Sequence, residues 1–213
     1  DVELARQLGF SGDVMPVLPN AGGFARSQLG GELLPVDKRK LIMVKGYHGW
    51  VGRAHIALQA IESISAELQD YEIVVYSCNL STKRLATQVA KRTGLTITTY
   101  SKGALTHDVM VEKFSRSLIY VGLSLSDGIS TSMLEAMAMG AIPVQTSTAC
   151  CDEWFSETGV AIETLAAEEV AQGIQRAIGL ALTTDSAAKN RETIRARASR
   201  EEIAKQALAF YQL

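Results

Sequence analysis

Residues 118–144 read LIYVGLSLSDGISTSMLEAMAMGAIPV, and this stretch decides the fold class. It opens with the apolar run LIYVGL and continues through a loop that holds an acid, a glycine and small hydroxyl residues. A helix that carries Glu135 and ends at Gly140 comes next, and a second short apolar run follows at once. Strand, helix and strand in this order predict a βαβ unit, in which the two strands lie parallel in one sheet.

The same alternation extends along most of the chain. Apolar and β-branched runs predict strands near residues 14–18, 41–46, 72–77, 95–100, 118–123, 142–145 and 159–162. We therefore predict one α/β domain over residues 1–213, with a Rossmann-like, mostly parallel sheet flanked by helices. Its predicted parts are a leading helix and strand at 1–24, an α/β core at 38–183 and C-terminal helices at 186–211.

Local signals predict where the helices begin and end. Apolar residues at three- and four-residue steps between 54 and 68 indicate a helix face that packs on the sheet. Ser81 is the predicted N-cap of the next helix, which ends where Gly94 can adopt a left-handed conformation. Ser199 and Glu202 have the S-x-x-E spacing of a capping box. The C-terminal region is therefore predicted to form two helices and not one.

Composition excludes several classes of function. Lysine plus arginine (21) nearly balance aspartate plus glutamate (23), so the chain lacks the positive field with which proteins bind nucleic acids. No apolar run reaches the roughly 18 residues that cross a bilayer, and no signal segment opens the chain. Cys78, Cys150 and Cys151 suit neither a disulfide framework nor a zinc site. This favours reduced, packed thiols over reactive ones, in a cytoplasmic protein.

Ligands of an open parallel sheet lie at the carboxyl ends of its strands, which selects the loops after residues 46, 77, 100 and 123. The helix start after the last of these exposes backbone N–H groups and the positive end of a helix dipole, so we expect an anion there. The residues that would receive it are Gly128, Ile129, Ser130, Thr131 and Ser132. Hydroxyl residues in front of a helix are also ordinary N-caps, and that alternative stays open.

Two acids eight positions apart flank this helix start. Asp127 precedes the helix and Glu135 lies about one turn into it, so both can face one cleft. Among the apolar residues of MLEAMAMG, the Glu135 carboxylate needs hydrogen-bond donors, and paired ribose hydroxyls would supply them. A solvent-facing position for Glu135 is the alternative, and the apolar neighbours make it the weaker one.

Residues 127–143 resemble the E-x7-E signature of the family-four retaining glycosyltransferases, which have the GT-B fold. That group includes sucrose synthases, glycogen synthases and bacterial lipopolysaccharide and capsule transferases. MLEAMAMGAIP matches the family's helix and the glycine and proline that follow it. The chain departs from the pattern at Asp127, where the family has glutamate, and in the residues IST after Gly128. The resemblance implies that Glu135 binds the ribose and that Asp127 stands where an acid contacts the donor sugar.

Weaker similarities extend the resemblance over nearly the whole chain. In the family, basic residues and glycines around the first core strand hold the diphosphate, and here Arg53, and secondarily Lys45 with Gly46, resemble them. Both cations also suit a solvated surface. Lys102 lies where the family has a loop near the nucleobase. Glu153 resembles a family glutamate, and a carboxylate that stabilises a helix dipole is the equal alternative.

The resemblance implies the donor-binding, C-terminal half of a GT-B enzyme, with Asp127 and Arg53 as catalytic residues. It would transfer a sugar from a UDP-, GDP- or ADP-sugar to a glycan or glycolipid, such as a bacterial cell-surface polysaccharide or lipopolysaccharide, with retention. No Asp-x-Asp pair or histidine cluster suggests a metal, so neither metal nor cofactor is expected.

We expect an N-terminal domain upstream of Asp1, because the family's acceptor site belongs mostly to that domain. Any contact with the inner face of the membrane is assigned to it as well. Without it, the chain would bind a donor and leave the transfer incomplete.

Other functions stay open at this point. A sugar-nucleotide epimerase or a phosphorylase of the same fold would share the cleft, and a non-catalytic nucleotide-sugar sensing module would keep only the binding residues. A nicotinamide dehydrogenase is disfavoured because no G-x-G-x-x-G follows the first strands. An α/β domain without a ligand is the plain structural alternative, since folds are readily reused.

Overall fold

A sheet of six parallel strands organises the computed structural model, which describes residues 2–15, 18, 22–125 and 127–212. The strands are β1 (Leu41–Lys45), β2 (Glu72–Cys78), β3 (Thr96–Ser101), β4 (Ser117–Gly122), β5 (Ile142–Thr146) and β6 (Val160–Ile162). Their order across the sheet is β3-β2-β1-β4-β5-β6, and every neighbouring pair is parallel. The predicted Rossmann-like α/β fold is confirmed.

Helices connect the strands and cover both faces of the sheet. They are α1 (Val2–Gln7), α2 (Arg26–Gly30), α3 (Gly49–Gly52), α4 (Ala54–Ser63), α5 (Leu80–Thr93), α6 (His107–Arg116), α7 (Thr131–Ala138), α8 (Ala167–Thr183), α9 (Ser186–Ala198) and α10 (Arg200–Phe210). Short 3-10 turns lie at Val36–Lys38, Ser65–Leu68, Ser147–Ala149 and Cys151–Glu153. Within the described part of the chain, no helix combines the length and the apolar character that a membrane crossing needs.

Alternation along the strands divides the core into two layers. Side chains such as Ile42 and Val44 pack with α4, α5 and α8, whereas Met43 and Tyr120 pack on the opposite face with α6, α7 and α9. Strands covered by helices on both faces are mainly apolar, as the central strands β1 and β4 are, whereas the edge strand β3 (TITTYS) is polar and only half-buried. Lys45 continues the second set at the last position of β1, so the alternation directs it toward the α7 side.

The helix ends agree with the sequence signals except in two cases, of which the first is the helix face predicted between residues 54 and 68: α4 ends at Ser63, and Ser65–Leu68 form a 3-10 turn. Gly94 follows α5 with a φ of 75°, and Ser199 Oγ accepts a hydrogen bond of 3.3 Å from the backbone N–H three residues later. The prediction of two C-terminal helices is thus confirmed. The predicted N-cap Ser81 is wrong, because α5 begins at Leu80. Asn79 is the N-cap, and its side-chain oxygen accepts a 2.9 Å hydrogen bond from an amide of the first turn.

The strand predicted at 14–18 is not confirmed. Residues 14, 15 and 18 lie outside any strand, and residues 16 and 17 are not among the described residues. A β-bridge forms instead at Phe24, whose N–H donates to the Ala198 carbonyl at 2.8 Å and whose own carbonyl accepts from the Arg200 N–H at 2.9 Å. This bridge attaches the segment before α2 to the junction between α9 and α10.

The cysteines occupy packed positions. Cys78 and Cys151 are buried, Cys150 is half-buried, and all three are free thiols. Burial raises the pKa of Cys78 to about 11 and that of Cys151 to about 12. Because the thiolate is the nucleophile, these two shifts agree with the packed thiols that the sequence favours over reactive ones.

Candidate functional site

The strand order of the sheet reverses between β1 and β4. From β1 the sheet extends to β2 and β3, and from β4 it extends the other way to β5 and β6. At such a switch point the connections leave the two neighbouring strands in opposite directions and open a crevice at the carboxyl edge. Residues 46–53 follow β1, and residues 123–125 and 127–130 follow β4, so these segments border the crevice. Most of the predicted site residues lie in or beside them.

An ion pair crosses the crevice from one strand to the other. Lys45 Nζ, at the end of β1, lies 2.8 Å from Asp127 Oδ2 in the segment after β4, and the two side chains are 10% and 28% exposed. Burial lowers the pKa of Lys45, but Tyr120 and the hydrogen-bonded Asp127 raise it by more, so the pKa lies above its ordinary value. The ammonium therefore stays charged at neutral pH. The ring of Tyr47 lies 5.3 Å from it.

The first turn of α7 follows the loop that carries this ion pair. Ser130 occupies the N-cap position, but its side chain accepts no hydrogen bond from the first backbone N–H groups of the helix in the described structure. Ser130 is buried, Ile129 and Ser132 are half-buried, and Gly128 and Thr131 are exposed. Ser130 therefore does not act as the side-chain N-cap that the hydroxyl residues suggested. The helix start keeps the open amides and the positive dipole end that attract anions.

Glu135 lies in the second turn of α7 with a partner from the neighbouring helix. Its Oε1 is 3.0 Å from Nε2 of His107, the first residue of α6. The Glu135 side chain is only 15% exposed, so the solvent-facing alternative is not what the structure shows. Burial raises the pKa of Glu135 above its ordinary value, although the hydrogen bond from His107 opposes this shift. The sequence did not identify His107 as a site residue, because no local sequence pattern relates it to Glu135.

Buried polar groups collect beneath the ion pair, toward the carboxyl ends of β2, β4 and β5 and at the start of α7. The buried hydroxyls of Tyr76 and Ser130 lie close enough to that of Tyr120 for hydrogen bonding with them to lower its pKa, against the stronger opposing effect of burial. The side-chain oxygen of Gln145 is buried beside them and has no hydrogen-bond partner among the described residues. A Cβ at Gly122 would stand 2.5 Å from both the Tyr120 hydroxyl and the Gln145 oxygen, so glycine is required there. A buried unpaired polar group costs about 1–3 kcal/mol. Natural proteins concentrate such groups where they serve a site, and this polar floor escaped sequence reasoning.

Backbone strain marks the same edge of the sheet. Arg53 has a left-handed conformation, with φ 52° and ψ 28°, at the junction of α3 and α4, and its buried Nε has no partner in the described structure. Among the described non-glycine residues, only Ser77 and Cys150 share a positive φ. Ser77 lies near the end of β2 and Cys150 follows β5. Left-handed residues other than glycine cost about 1–3 kcal/mol and cluster at functional edges.

The remaining predicted residues lie apart from the ion pair. The Gly46 N–H donates to the Tyr76 carbonyl at 2.7 Å, and a Cβ at Gly46 would overlap that carbonyl oxygen. This amide is therefore committed to the sheet, and close strand packing explains the glycine. Lys102 is exposed in the turn after β3. Glu153 is an exposed residue that ends a 3-10 turn, so it does not stand at a helix N-terminus.

Comparison with known proteins identifies the family. Residues 38–179 match the model of the family described as "Glycosyl transferases group 1". No curated protein gives a match.

Several solved structures share the fold. A glycosyltransferase from Rickettsia africae ESF-5 is 18% identical, with a TM-score of 0.64 over 81% of this chain and 46% of that one. A single-residue mutant of S. aureus TarM, crystallised with fondaparinux, α-GlcNAc-glycerol and UDP, is 14% identical, with a TM-score of 0.69 over 100% of this chain and 42% of that one. A UDP-forming α,α-trehalose-phosphate synthase from Burkholderia xenovorans is 16% identical, with a TM-score of 0.65 over 84% and 45%. The chain thus spans less than half the length of these structures, and at such identities the likeness concerns the fold alone.

Proposed function

This chain belongs to the group 1 glycosyltransferases, and we propose that it forms the donor-binding half of such an enzyme. In this proposal the crevice between β1 and β4 holds the diphosphate of a nucleotide-sugar, with the ribose on Glu135 and the donor sugar beside Asp127. The Lys45–Asp127 ion pair carries the proposal, because it spans the switch point next to an open helix start. Parallel α/β sheets bind their ligands at this place.

Sugar transfer needs positive groups beside the departing diphosphate. The reaction breaks the bond between the anomeric carbon and a phosphate oxygen and forms one to an acceptor hydroxyl oxygen, so negative charge builds on the nucleotide. Cations and dipoles that are fixed in advance stabilise such charge without reorganising during the reaction. We assign this role to Arg53, to Lys45 and to the backbone amides of residues 128–132.

Asp127 has two partners in this proposal. Its Oδ2 holds the Lys45 ammonium at 2.8 Å, which keeps the cation at the end of β1. The other carboxylate oxygen is assigned to a hydroxyl of the donor sugar, the contact that the resemblance implies for an acid at this position. Removing the carboxylate would therefore affect both the cation and the sugar.

The proposal extends to the substrate class. UDP is the first nucleotide to test, because it is named for TarM and for the trehalose-phosphate synthase that share the fold. We assign the acceptor, a cell-surface glycan or glycolipid, to an N-terminal domain outside residues 1–213, and retention of configuration to the whole enzyme. The loop with Lys102 is assigned to the nucleobase. For Gly46 and Glu153, only the resemblance to the family supports a role in ligand binding.

Calorimetric titration with UDP, GDP and ADP tests the proposal. We expect the chain to bind one of them, and Glu135→Ala to weaken that binding roughly 10- to 100-fold, because a charged group loses hydrogen bonds to the ribose. Glu112→Ala is the matched control, since Glu112 also pairs with a basic residue, Arg116, but the pair is exposed on α6. It should leave the affinity unchanged. If none of the three nucleotides binds, the proposed function is wrong.

A further inference from the structure

Glu135 receives one side-chain hydrogen bond from the described residues, and the donor is His107. We propose that His107 is a positioning residue that fixes the Glu135 carboxylate so that the nucleotide site selects ribose over deoxyribose. This inference rests on the proposed function, because it concerns how the same carboxylate meets the nucleotide. Neither the signature in the sequence nor the family match assigns a role to His107.

The two partners differ in exposure. The Glu135 side chain is 15% exposed, whereas that of His107 is 60% exposed. Burial therefore does not hold the imidazole in place, and its position depends on the hydrogen bond. Glu135 is withdrawn from water, which disfavours its charged form, and the hydrogen bond from His107 favours that form. The histidine thus supports an ionised carboxylate where burial opposes one.

Helix α6 gives His107 a fixed starting point. Thr106 is the N-cap of this helix, and its Oγ1 accepts a 3.4 Å hydrogen bond from the Val109 N–H. Phe114, two turns further on, is fully buried in the layer that also contains the core residues of α7. Cap and core therefore hold the backbone at His107, and the hydrogen bond to Glu135 then orients the imidazole.

The hydrogen bond leaves half of the carboxylate for the nucleotide. His107 donates to Oε1, so Oε2 can accept from the neighbouring hydroxyls of a ribose. A nucleotide without these hydroxyls would leave Oε2 largely buried without a donor, and such a loss weakens binding strongly. Without His107 the carboxylate can rotate or take up a proton, and the preference for ribose should disappear.

Paired nucleotides measure this preference directly. The probe is whichever of UDP, GDP and ADP binds most tightly, together with its 2′,3′-dideoxy counterpart, and the readout is the ratio of the two dissociation constants. We expect wild type to favour the ribonucleotide by about 10-fold or more. His107→Ala and His107→Asn should reduce the ratio to about 2-fold or less, with the affinity for the dideoxy nucleotide unchanged.

His107→Gln should restore the ratio, because the glutamine amide nitrogen reaches about as far as Nε2, whereas that of asparagine reaches only about as far as Nδ1. A purely structural role would not distinguish these two amides. Asp108→Asn, an exposed change in the same turn of α6, should leave the ratio unchanged. Thermal midpoints of all variants check that each one is folded.

The outcomes separate the two proposals. A wild-type preference that survives in His107→Ala overturns the role of His107 and leaves the proposed function standing. Nucleotide binding by wild type with no preference for ribose overturns both the role of His107 and the assignment of the ribose to Glu135, and it leaves only the donor-binding function standing. Absence of any nucleotide binding overturns both proposals.

Discussion

The two ends of helix α7 differ. In the described structure its N-terminus has no side-chain cap and is called the open end, whereas a buried arginine caps its C-terminus, which is called the closed end. At its N-terminus, Ser130 makes no capping hydrogen bond in the described structure, and Thr131 is exposed to the crevice edge of the sheet. At its C-terminus, the Arg39 guanidinium donates to the carbonyls of Met139 at 3.0 Å and Ser117 at 3.3 Å. The helix is therefore anchored at the end away from the crevice. Its free amides are positioned for a ligand without a side chain that competes for them.

Arg39 shows how a buried cation is tolerated at the closed end. It is 1% exposed, and its hydrogen bonds within the described structure go to backbone carbonyls, including that of Leu34 at 2.8 Å. Burial, and then the nearby Arg191, lower the pKa of Arg39 to about 10, so it is still charged at neutral pH. Carbonyls at a helix C-terminus carry partial negative charge and replace part of the lost hydration.

The largest expected effect comes from removing the arginine that caps the C-terminus of α7. Arg39→Met keeps an unbranched apolar stem and removes the donors, which leaves buried carbonyls unpaired. We expect a loss of about 3 kcal/mol in the free energy of unfolding, measured with denaturant. Lys38→Met is the control, since the Lys38 side chain is 70% exposed, and it should change stability by about 0.5 kcal/mol or less. A loss below about 1 kcal/mol for Arg39→Met would show that the anchor is not needed.

The next effect concerns the ion pair at the open end, where the two partners should act in opposite directions. Lys45→Met removes a cation from the proposed diphosphate site and should weaken nucleotide diphosphate binding about 10-fold or more. Asp127→Asn removes a negative charge beside the same site and should strengthen it about 5-fold, while transfer by an enzyme complete with its acceptor domain falls. Calorimetry at low salt measures both. If both variants bind the nucleotide more weakly, then binding requires the intact ion pair and not the separate charges of its two partners.

The smallest effect concerns Arg53, where two substitutions separate the cost of the left-handed backbone from the contribution of the guanidinium to nucleotide binding. Arg53→Ala and Arg53→Gly both remove the guanidinium and should weaken nucleotide binding equally, by about 10-fold. Glycine relieves the left-handed backbone and alanine does not, so Arg53→Gly should be more stable by about 1 kcal/mol in denaturant. Equal stabilities would indicate that the backbone relaxes without cost. Unchanged binding in both would show that Arg53 is not part of the proposed diphosphate site.

Local patterns made the core strands and one part of the site predictable. The strand before Asp127 and the helix around Glu135 follow from residues that are neighbours in the chain, and periodicity and helix-start chemistry act over such distances. The N-cap of α5 was misassigned because Asn79 and Ser81 both suit the position. Only the actual start of the helix separates them.

Contacts between distant segments were not predictable in the same way. His107 reaches Glu135 across two helices, and the polar floor at Tyr120 and Gln145 joins two strands. Arg39 reads in the sequence as a surface charge, the usual position of an arginine. It is buried because the C-terminus of α7 packs above the start of β1, which no local pattern around residue 39 reveals.

The amino-acid sequence by itself determined the βα alternation, the parallel sheet and the two acids around the start of α7, because each depends on residues within a few turns or one strand. The tertiary structure alone decided that Asp127 pairs with Lys45 and Glu135 with His107. It also decided which end of α7 stays open. Such pairings depend on the order of strands in the sheet, which brings together groups that lie 82 and 28 residues apart in the chain.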